Sequence, residues 1–361
     1  MLSNKKISVI NAYFMLLLAL GITNHVILIP LLLQTAGRDA WAGVILTMVL
    51  HTIWVFFLYF IMKRTNQQSI SSWIKERCGS MAGWIFVIIT AAYFFLMALI
   101  MLRETSTWIK VTYLPQTPKV VVLILLVLLS VYMAYNGIRS IAIISGILLP
   151  FVWVLGHFVA VTNLQFKDYS LLTPLFVNGY EPMLKSMIIA GGGFMELVVL
   201  IFIQHHMSRR VSYFSIGIMS IILAGLTLGP LMGAIANFGT EVAAQIRYPA
   251  YSQWKLVMIT KYIAHLDFLA LYQWLSGALI RMSLFMFIIT DMLPPLMKKK
   301  HRLPFLLVLG VVMVGLALHS GVDRQIELYV LGKYSLVTFL FLITLIASMA
   351  ITTALKLPRR R

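Results

Sequence analysis

Two charged residues lie inside long apolar runs of the chain. Glu196 follows MIIAGGGFM, and Arg281 lies within LALYQWLSGALIRMSLFMFII. A charge at the centre of a bilayer costs at least about 2.5–3.5 kcal/mol on insertion scales, so such groups are expected to pair or to face a polar cavity. Both residues lie past the middle of their runs, at matching depths, which predicts an intramembrane ion pair between Glu196 and Arg281. Whether this pair is purely structural or also serves a ligand remains open.

Helix-breaking residues interrupt two of the apolar runs. One reads LLALGITNHVILIP and the other contains three consecutive glycines. Glycine costs about 1 kcal/mol in a helix interior, so we predict unwinding that exposes backbone groups which lipid cannot satisfy. Such groups suit a zwitterionic amino acid, whose carboxylate accepts from N–H groups and whose ammonium donates to carbonyls. The predicted ligand-binding residues are Gly21, Thr23, Asn24, His25, Gly191, Gly192, Gly193 and Phe194, with Tyr93 and Met97 of the third run as walls.

Each of these assignments has a structural alternative. The triple glycine could simply allow two helices to pack closely, as small residues do in bilayers. Tyr93 and Met97 could belong to ordinary packing within the bundle. His25 could respond to protons, or it could be a neutral histidine that is hydrogen-bonded to the backbone.

No enzyme motif is present in the sequence, which lacks G-x-S-x-G, a P-loop and H-E-x-x-H. His205 and His206 are adjacent, so on a helix their rings would point about 100° apart. We interpret them as interfacial anchors. Asp291 lies near the lysines at 298–300, which would neutralise it. We therefore expect no catalytic residue, no bound metal and no cofactor.

The composition indicates which elements position these residues. The 361-residue chain is 61% hydrophobic and 11% charged, with a mean hydropathy of +0.93. Soluble domains hold roughly 45–50% apolar and about 25% charged residues, and a membrane span needs about 20 apolar residues. We predict a single all-α transmembrane domain over 1–361. Its ten predicted spans are 8–33, 41–62, 82–109, 119–136, 141–162, 183–203, 211–236, 264–293, 303–319 and 335–355.

The two halves of the chain share a pattern. The interrupted runs are the first and the sixth, and mixed polar stretches at 66–80 and 245–262 follow the second and the seventh. Interrupted helices at equivalent positions of two halves are typical of transporter folds with inverted repeats. We therefore predict five-plus-five repeats at 8–162 and 183–355, with helices 1 and 6 broken.

Charge predicts the orientation of the chain. The net charge is +18, and more than half of the 29 Lys and Arg residues fall in segments that are cytoplasmic if the N-terminus is inside. Short cytoplasmic loops are rich in Lys and Arg, and an even number of spans then places both termini in the cytoplasm. The basic residues are expected to meet anionic lipid headgroups rather than nucleic acid.

Three motifs carry a resemblance to a known family. The first spans residues 102–153 and includes Arg103, Leu114, Pro115, Thr117, Pro118 and Gly137. The second, NFGTEVAAQIRYPAYSQW, includes Asn237, Phe238, Gly239, Glu241, Tyr248 and Pro249, and the third, IAHLDFLALYQW, includes Asp267 and Trp274. With these motifs the chain resembles the spore germination permeases, the B subunits of nutrient germinant receptors, which are similar to the amino acid/polyamine/organocation transporters.

This resemblance implies a ten-span protein of the inner spore membrane. It implies that the chain senses a small nutrient, often an amino acid, beside an A-type subunit and a lipoprotein C-type subunit. Two other functions stay open, namely an ion-coupled secondary transporter for amino acids and a scaffold whose pocket is vestigial. The sequence does not identify the nutrient.

Overall fold

The computed structural model describes residues 6–260, 263–293, 299–318 and 324–355. The predicted cytoplasmic tail Arg359–Arg361 and Lys298 lie outside these residues. The longer helices are α1 (Val9–Ile22), α2 (Leu28–Ala36), α3 (Ala40–Thr65), α5 (Ser80–Thr112), α6 (Lys119–Asn136), α7 (Ile138–Thr162), α8 (Glu181–Met195), α10 (Tyr213–Phe238), α13 (Leu269–Asp291), α14 (Lys299–Leu318) and α15 (Arg324–Ala354). The shorter elements are α4 (Ile70–Cys78), α9 (Val199–Ile203), α11 (Thr240–Gln245), α12 (Pro249–Trp254), and the antiparallel strands β1 (Met258–Thr260) and β2 (Ile263–Ala264).

Local sequence explains where several of these helices begin and end. Ser8 and Ser212 precede α1 and α10, and each side chain accepts a hydrogen bond from the backbone N–H three residues later. These bonds satisfy orphan donors of the first turn. Gly137 separates α6 from α7 and Gly239 separates α10 from α11, with φ of 90° and 76°. A side chain would be strained at these angles, so glycine permits the sharp turns.

The described residues contain nine helical stretches that are long and apolar enough to cross a membrane. The first, Val9–Thr65, has 57 residues, and at 1.5 Å per residue it is far longer than the roughly 30 Å hydrocarbon core. It contains the predicted spans 8–33 and 41–62, which a 3₁₀ turn at Gly37–Asp39 separates. The all-α membrane fold is therefore confirmed, whereas the inverted repeats at 8–162 and 183–355 stay a prediction.

Two of the nine stretches occupy the centre of the bundle. Their most apolar segments are 89% buried in Glu181–His206 and 83% buried in Leu266–Asp291, against 22–56% in the others. The central stretches carry Glu196 and Arg281, respectively. The two intramembrane charges therefore lie on the helices with the least exposure to lipid.

The first and the sixth predicted spans are both interrupted, but neither is unwound in the way that the sequence suggested. The first span widens into a π-helical turn at Thr23–Ile27 between α1 and α2. In the sixth span the three glycines remain helical within α8, and a 3₁₀ turn follows at Glu196–Val198. The prediction that Gly191–Gly193 unwind is therefore wrong, because these glycines serve close helix packing instead.

Candidate functional site

Two side chains donate to backbone carbonyls that lie just before the π-turn of the first span. The Thr23 N–H donates to the Leu20 carbonyl instead of to the Ala19 carbonyl four residues back. The Ala19 oxygen accepts from Arg281 Nη1 at 2.9 Å, and the Leu20 oxygen also accepts from Asn24 Nδ2 at 2.9 Å. The interruption is thus stabilised by Arg281, which provides the donor that the Ala19 carbonyl lacks, and by Asn24, which adds a second donor to the Leu20 carbonyl.

The structure brings Glu196 and Arg281 together at the middle of the bundle. Arg281 Nη2 lies 2.6 Å from Glu196 Oε1, and Nη1 lies 2.8 Å from Oε2. Both side chains are at most 4% exposed. Parallel bonds of this kind are strong and directional. Arg281 Nη2 also lies 3.7 Å from Met97 Sδ, so this guanidinium connects α13 with α1, α5 and the end of α8.

A small cavity of about 30 Å³ adjoins this ion pair. Its lining includes Thr23, Met97, Glu196, Arg281 and Ser335. The volume corresponds to about one water molecule and is too small for an amino acid. This face of the first span therefore holds charge but little space.

A much larger cavity, of about 400 Å³, lies on the other face of the first span. Residues of α1, α7, α10, α12 and α13 line it. Its lining includes the predicted residues Gly21 and His25, further small, polar and aromatic residues (Gly156, His157, Lys167, Gly225, Gly229, Tyr251, Gln253, Trp254, Gln273 and Trp274), and aliphatic side chains. Ligand sites usually occupy about 300–1,000 Å³ and are mostly apolar with a few polar groups. We refer to this space as the lateral cavity.

His25 links the π-turn to α10 at the wall of the lateral cavity. Its Nδ1 lies 3.0 Å from the Leu226 carbonyl oxygen. A carbonyl only accepts, so Nδ1 carries the proton and Nε2 is an acceptor in the neutral ring. The backbone hydrogen bond of the alternative interpretation is thus present, while the ring also lines the cavity.

The glycine run packs against neighbouring helices rather than lining the lateral cavity. A Cβ on Gly193 would lie 2.6 Å from Asn24 Oδ1, and a Cβ on Gly191 would lie 2.7 Å from the Phe339 ring. Asn24 Nδ2 also approaches the Gly193 carbonyl at 3.4 Å. Gly192 is the least tight of the three, with the Ser335 carbonyl 3.3 Å from a Cβ. The absence of side chains therefore lets the first span and α15 approach α8.

Two aromatic residues of the predicted site also lie outside the lateral cavity. Phe194 is fully buried, with its ring centroid 5.8 Å from that of His51. Tyr93 stacks on Phe341 with a centroid distance of 4.8 Å. The structure therefore divides the predicted site between two cavities and the helix contacts beside them.

Two aromatic residues that line the lateral cavity, Tyr251 and Trp274, belong to a larger cluster. Trp274 stacks on Trp108 at 4.1 Å, and the Tyr251 hydroxyl donates to Asp267 Oδ2 at 2.9 Å. Burial raises the pKa of the Tyr251 hydroxyl, and its hydrogen bonds to Tyr113 and Asp267 raise it further. The hydroxyl therefore stays protonated as a donor, and the cluster fixes α12 against α5 and α13.

His205, His206 and Asp291 form a separate cluster where the two central spans end. His205 Nε2 lies 2.9 Å and His206 Nε2 lies 3.1 Å from the same Asp291 oxygen, Oδ2. The expectation that the two rings diverge is wrong, because the helix ends at His206 and both rings bond the same carboxylate, with their centroids 4.0 Å apart. Asp291 therefore meets these histidines, while Lys298, one of the three lysines expected to neutralise it, lies outside the described residues.

Comparison with known proteins identifies the family. The family model described as "Spore germination protein" matches residues 6–323. The chain belongs to this family of spore germination permeases. It is a multi-pass membrane protein related to germinant receptor subunits.

Individual relatives agree with this assignment. The chain is 42% identical over 294 residues to spore germination protein XB of Bacillus anthracis, covering 81% of this chain and 82% of the relative. It is 22% identical over 300 residues to spore germination protein KB of Bacillus subtilis (strain 168), covering 81% and 80%. A shorter match, 24% over 204 residues and 55% of each chain, is to spore germination protein A2 of the same organism.

Sequence reasoning missed much of the wall of the lateral cavity in this permease. Gly225 and Gly229 are four residues apart, so they share one face of α10. A Cβ on either would meet nothing within 4 Å. Gln273 Nε2 donates to the Val152 carbonyl at 3.0 Å, while its Oε1 accepts from Trp254 Nε1 at 2.9 Å. The spacing of the glycines and the mixed stretch at 245–262 were the available signals.

Proposed function

We propose that this permease is the membrane-spanning B-type subunit of a nutrient germinant receptor, and that a small nutrient binds in the lateral cavity to trigger germination. The expected nutrient is an amino acid. The expected partners are an A-type and a lipoprotein C-type subunit in the inner spore membrane, with both termini of this chain in the cytoplasm. The observation that carries this proposal is a ligand-sized cavity bounded by Gly21 and His25 of the interrupted first span.

The lining of the lateral cavity suits an amphipathic nutrient. Aliphatic and Trp side chains provide apolar walls for a nutrient side chain. His25 Nε2 is an acceptor that an ammonium group can use. Lys167 also lines the cavity, and its Nζ donates to the Ala160 carbonyl at 3.1 Å. Burial lowers the pKa of the Lys167 amine. When protonated, this amine would attract a carboxylate.

The first span provides a route from the cavity to the rest of the bundle. His25 holds its π-turn to α10, and Arg281 holds the Ala19 carbonyl to α13. A ligand shifts an equilibrium only through contacts that differ between two states. A nutrient that contacts Gly21 and His25 would bias the π-turn, and the central ion pair lies directly behind it. We propose that partner subunits respond to this change.

A pair of glycine substitutions on α10 tests the proposal. Gly225 lines the lateral cavity and Gly217 does not, yet a Cβ at either position meets nothing within 4 Å. Leucine inserts favourably in bilayers, so both Leu variants should fold. Gly225→Leu should abolish the germination response to the nutrient and the nutrient-induced rise in Tm of the purified receptor. Gly217→Leu should retain both.

The outcome that contradicts the site is equally specific. If Gly225→Leu is as stable as the parent and responds at an unchanged nutrient concentration, the nutrient binds elsewhere. Measurements of expression level and of Tm without nutrient separate this result from misfolding.

An ion-coupled amino acid transporter is the second candidate, because interruptions in the first and the sixth span are typical of secondary transporters. Saturable uptake of the nutrient by this chain alone in proteoliposomes would support transport. Nutrient binding without uptake, with the response lost when partner subunits are absent, would support the receptor. No binding in a ligand screen of the purified complex would support a scaffold.

A further inference from the structure

The cluster of His205, His206 and Asp291 has the composition of a metal site. One ligand atom from each residue can be chosen so that all three lie within 4.8 Å of one another. Imidazole nitrogen suits Zn²⁺, Cu²⁺ and Ni²⁺, and a carboxylate is a common third ligand. We propose that His205, His206 and Asp291 bind a divalent transition-metal ion such as Zn²⁺, with a fourth position open to water.

The distances fit such an ion after a small adjustment. Zn–N and Zn–O bonds are about 2.0–2.2 Å long, so tetrahedral ligand atoms lie roughly 3.3–3.5 Å apart. Asp291 Oδ2 lies 2.9 Å and 3.1 Å from the two Nε2 atoms. Moving these atoms apart by a few tenths of an ångström would place an ion between them. On binding the ion, each neutral imidazole would carry its proton on Nδ1 instead of Nε2, which frees both Nε2 lone pairs for the metal.

The cluster is accessible and electrostatically suitable. Its three side chains are 21–27% exposed, so an ion could reach them without passing through the apolar core. Two neutral imidazoles and one carboxylate leave a divalent ion with a net charge of +1. Among the described residues, Arg302 is an unfavourable neighbour, since its guanidinium lies over Phe287, a ring that His206 also contacts. Arg302 also donates to the Ala134 carbonyl at 3.1 Å, which holds this end of the guanidinium against α6.

A bound ion would connect three parts of the chain. The histidines follow α9, and Asp291 ends α13. The backbone of His206 accepts from the Ile7 N–H at 2.9 Å, and the Ile7 carbonyl accepts from the Ser208 N–H at 2.8 Å. The ion would therefore hold the ends of the two central spans together beside the segment that precedes α1. This role does not depend on where the nutrient binds.

Calorimetric titration of the detergent-purified full chain with ZnCl₂ tests this site, with purification through a tag that contains no histidine. The parent should bind one ion, and Zn²⁺ should raise its Tm, because a ligand that binds only the native state stabilises it. His206→Gln and Asp291→Asn should each weaken Zn²⁺ binding by at least about 10-fold. Loss of a residue that only supports a metal ligand already lowers metal affinity by about 10–100-fold, and these residues are the ligands themselves. Asp291→Cys should retain binding, because a thiolate is also a Zn²⁺ ligand.

His265→Asn is the matched control. His265 is exposed and lies just before α13, at the opposite end from Asp291. Its φ is 62°, which asparagine tolerates. This variant should bind Zn²⁺ as the parent does. Binding that is unchanged in His206→Gln and Asp291→Asn would place the ion elsewhere, and the absence of saturable binding by the folded parent would show a hydrogen-bonded cluster only. Either result would overturn the proposal.

Discussion

The two faces of the interrupted first span differ in charge and in space. Towards α8 and α13, the span meets the Glu196–Arg281 pair and a cavity of about 30 Å³. Towards α7 and α10, it meets a mostly apolar cavity of about 400 Å³. Intramembrane charge is often interpreted as the mark of a ligand site. Here the charged face joins helices through the ion pair, and the larger cavity lies on the other face, where glycines of α7 and α10 line it.

The largest effect on stability is expected when one partner of the Glu196–Arg281 pair is removed. Removing one partner of a buried pair costs about 3–5 kcal/mol, because the remaining charge is left without compensation. Glu196→Gln and Arg281→Met should each lower the free energy of unfolding by this amount in detergent. The double variant should lose less than the sum of the two. Strict additivity would contradict a direct contact.

The glycine run should respond to added volume as a packing site. Gly193→Val would place atoms against Asn24 Oδ1 and Leu28 Cδ1, which lie 2.6 Å and 2.5 Å from a Cβ. Overpacking of this kind costs about 1–3 kcal/mol or more. We expect low expression and a lower Tm, with Gly217→Val as the control in open space. A stable Gly193→Val variant that selectively loses the nutrient response would instead support a ligand site at the glycines.

Asn24→Leu, also on the charged face, should lower the free energy of unfolding by a similar or smaller amount. The substitution removes one of two donors to the Leu20 carbonyl, which still accepts from the Thr23 N–H, so the loss is that of one hydrogen bond, about 0.5–1.5 kcal/mol. Thermal unfolding should show this loss, while the nutrient concentration for half-maximal response stays nearly unchanged. A large shift in that concentration with unchanged Tm would move the ligand towards Asn24.

His25→Gln changes the face of the first span that borders the lateral cavity and should have the smallest effect on stability and response. The Gln amide can still donate to the Leu226 carbonyl, so Tm should change little. Loss of the imidazole acceptor should raise the half-maximal nutrient concentration by roughly 2–10-fold, as expected for one hydrogen bond of about 0.5–1.5 kcal/mol. An unchanged nutrient concentration would argue that His25 serves only the backbone.

Sequence reasoning succeeded where local composition decides the outcome. Apolar length identified the spans, and the cost of a lone charge led to the pairing of Glu196 with Arg281. It failed for Gly191–Gly193 because intrinsic propensity favours unwinding, whereas tertiary packing against Phe339 and Asn24 keeps them helical. It also failed for the histidine pair, since the helix ends at His206 and a tertiary contact with Asp291 draws both rings to one carboxylate oxygen. The lateral cavity depends on how far α7 lies from α10, which no local pattern encodes.

The hydrogen bond from Arg281 to the Ala19 carbonyl has a consequence for biogenesis. The two residues are 262 positions apart, so the first span enters the membrane long before its partner is synthesised. Before α13 is inserted, neither the Ala19 carbonyl nor the Glu196 carboxylate can accept a hydrogen bond from Arg281. A nascent chain that ends before α13 should therefore keep an ordinary straight α-helix as its first span. The π-turn would then form late, as one of the last steps of maturation.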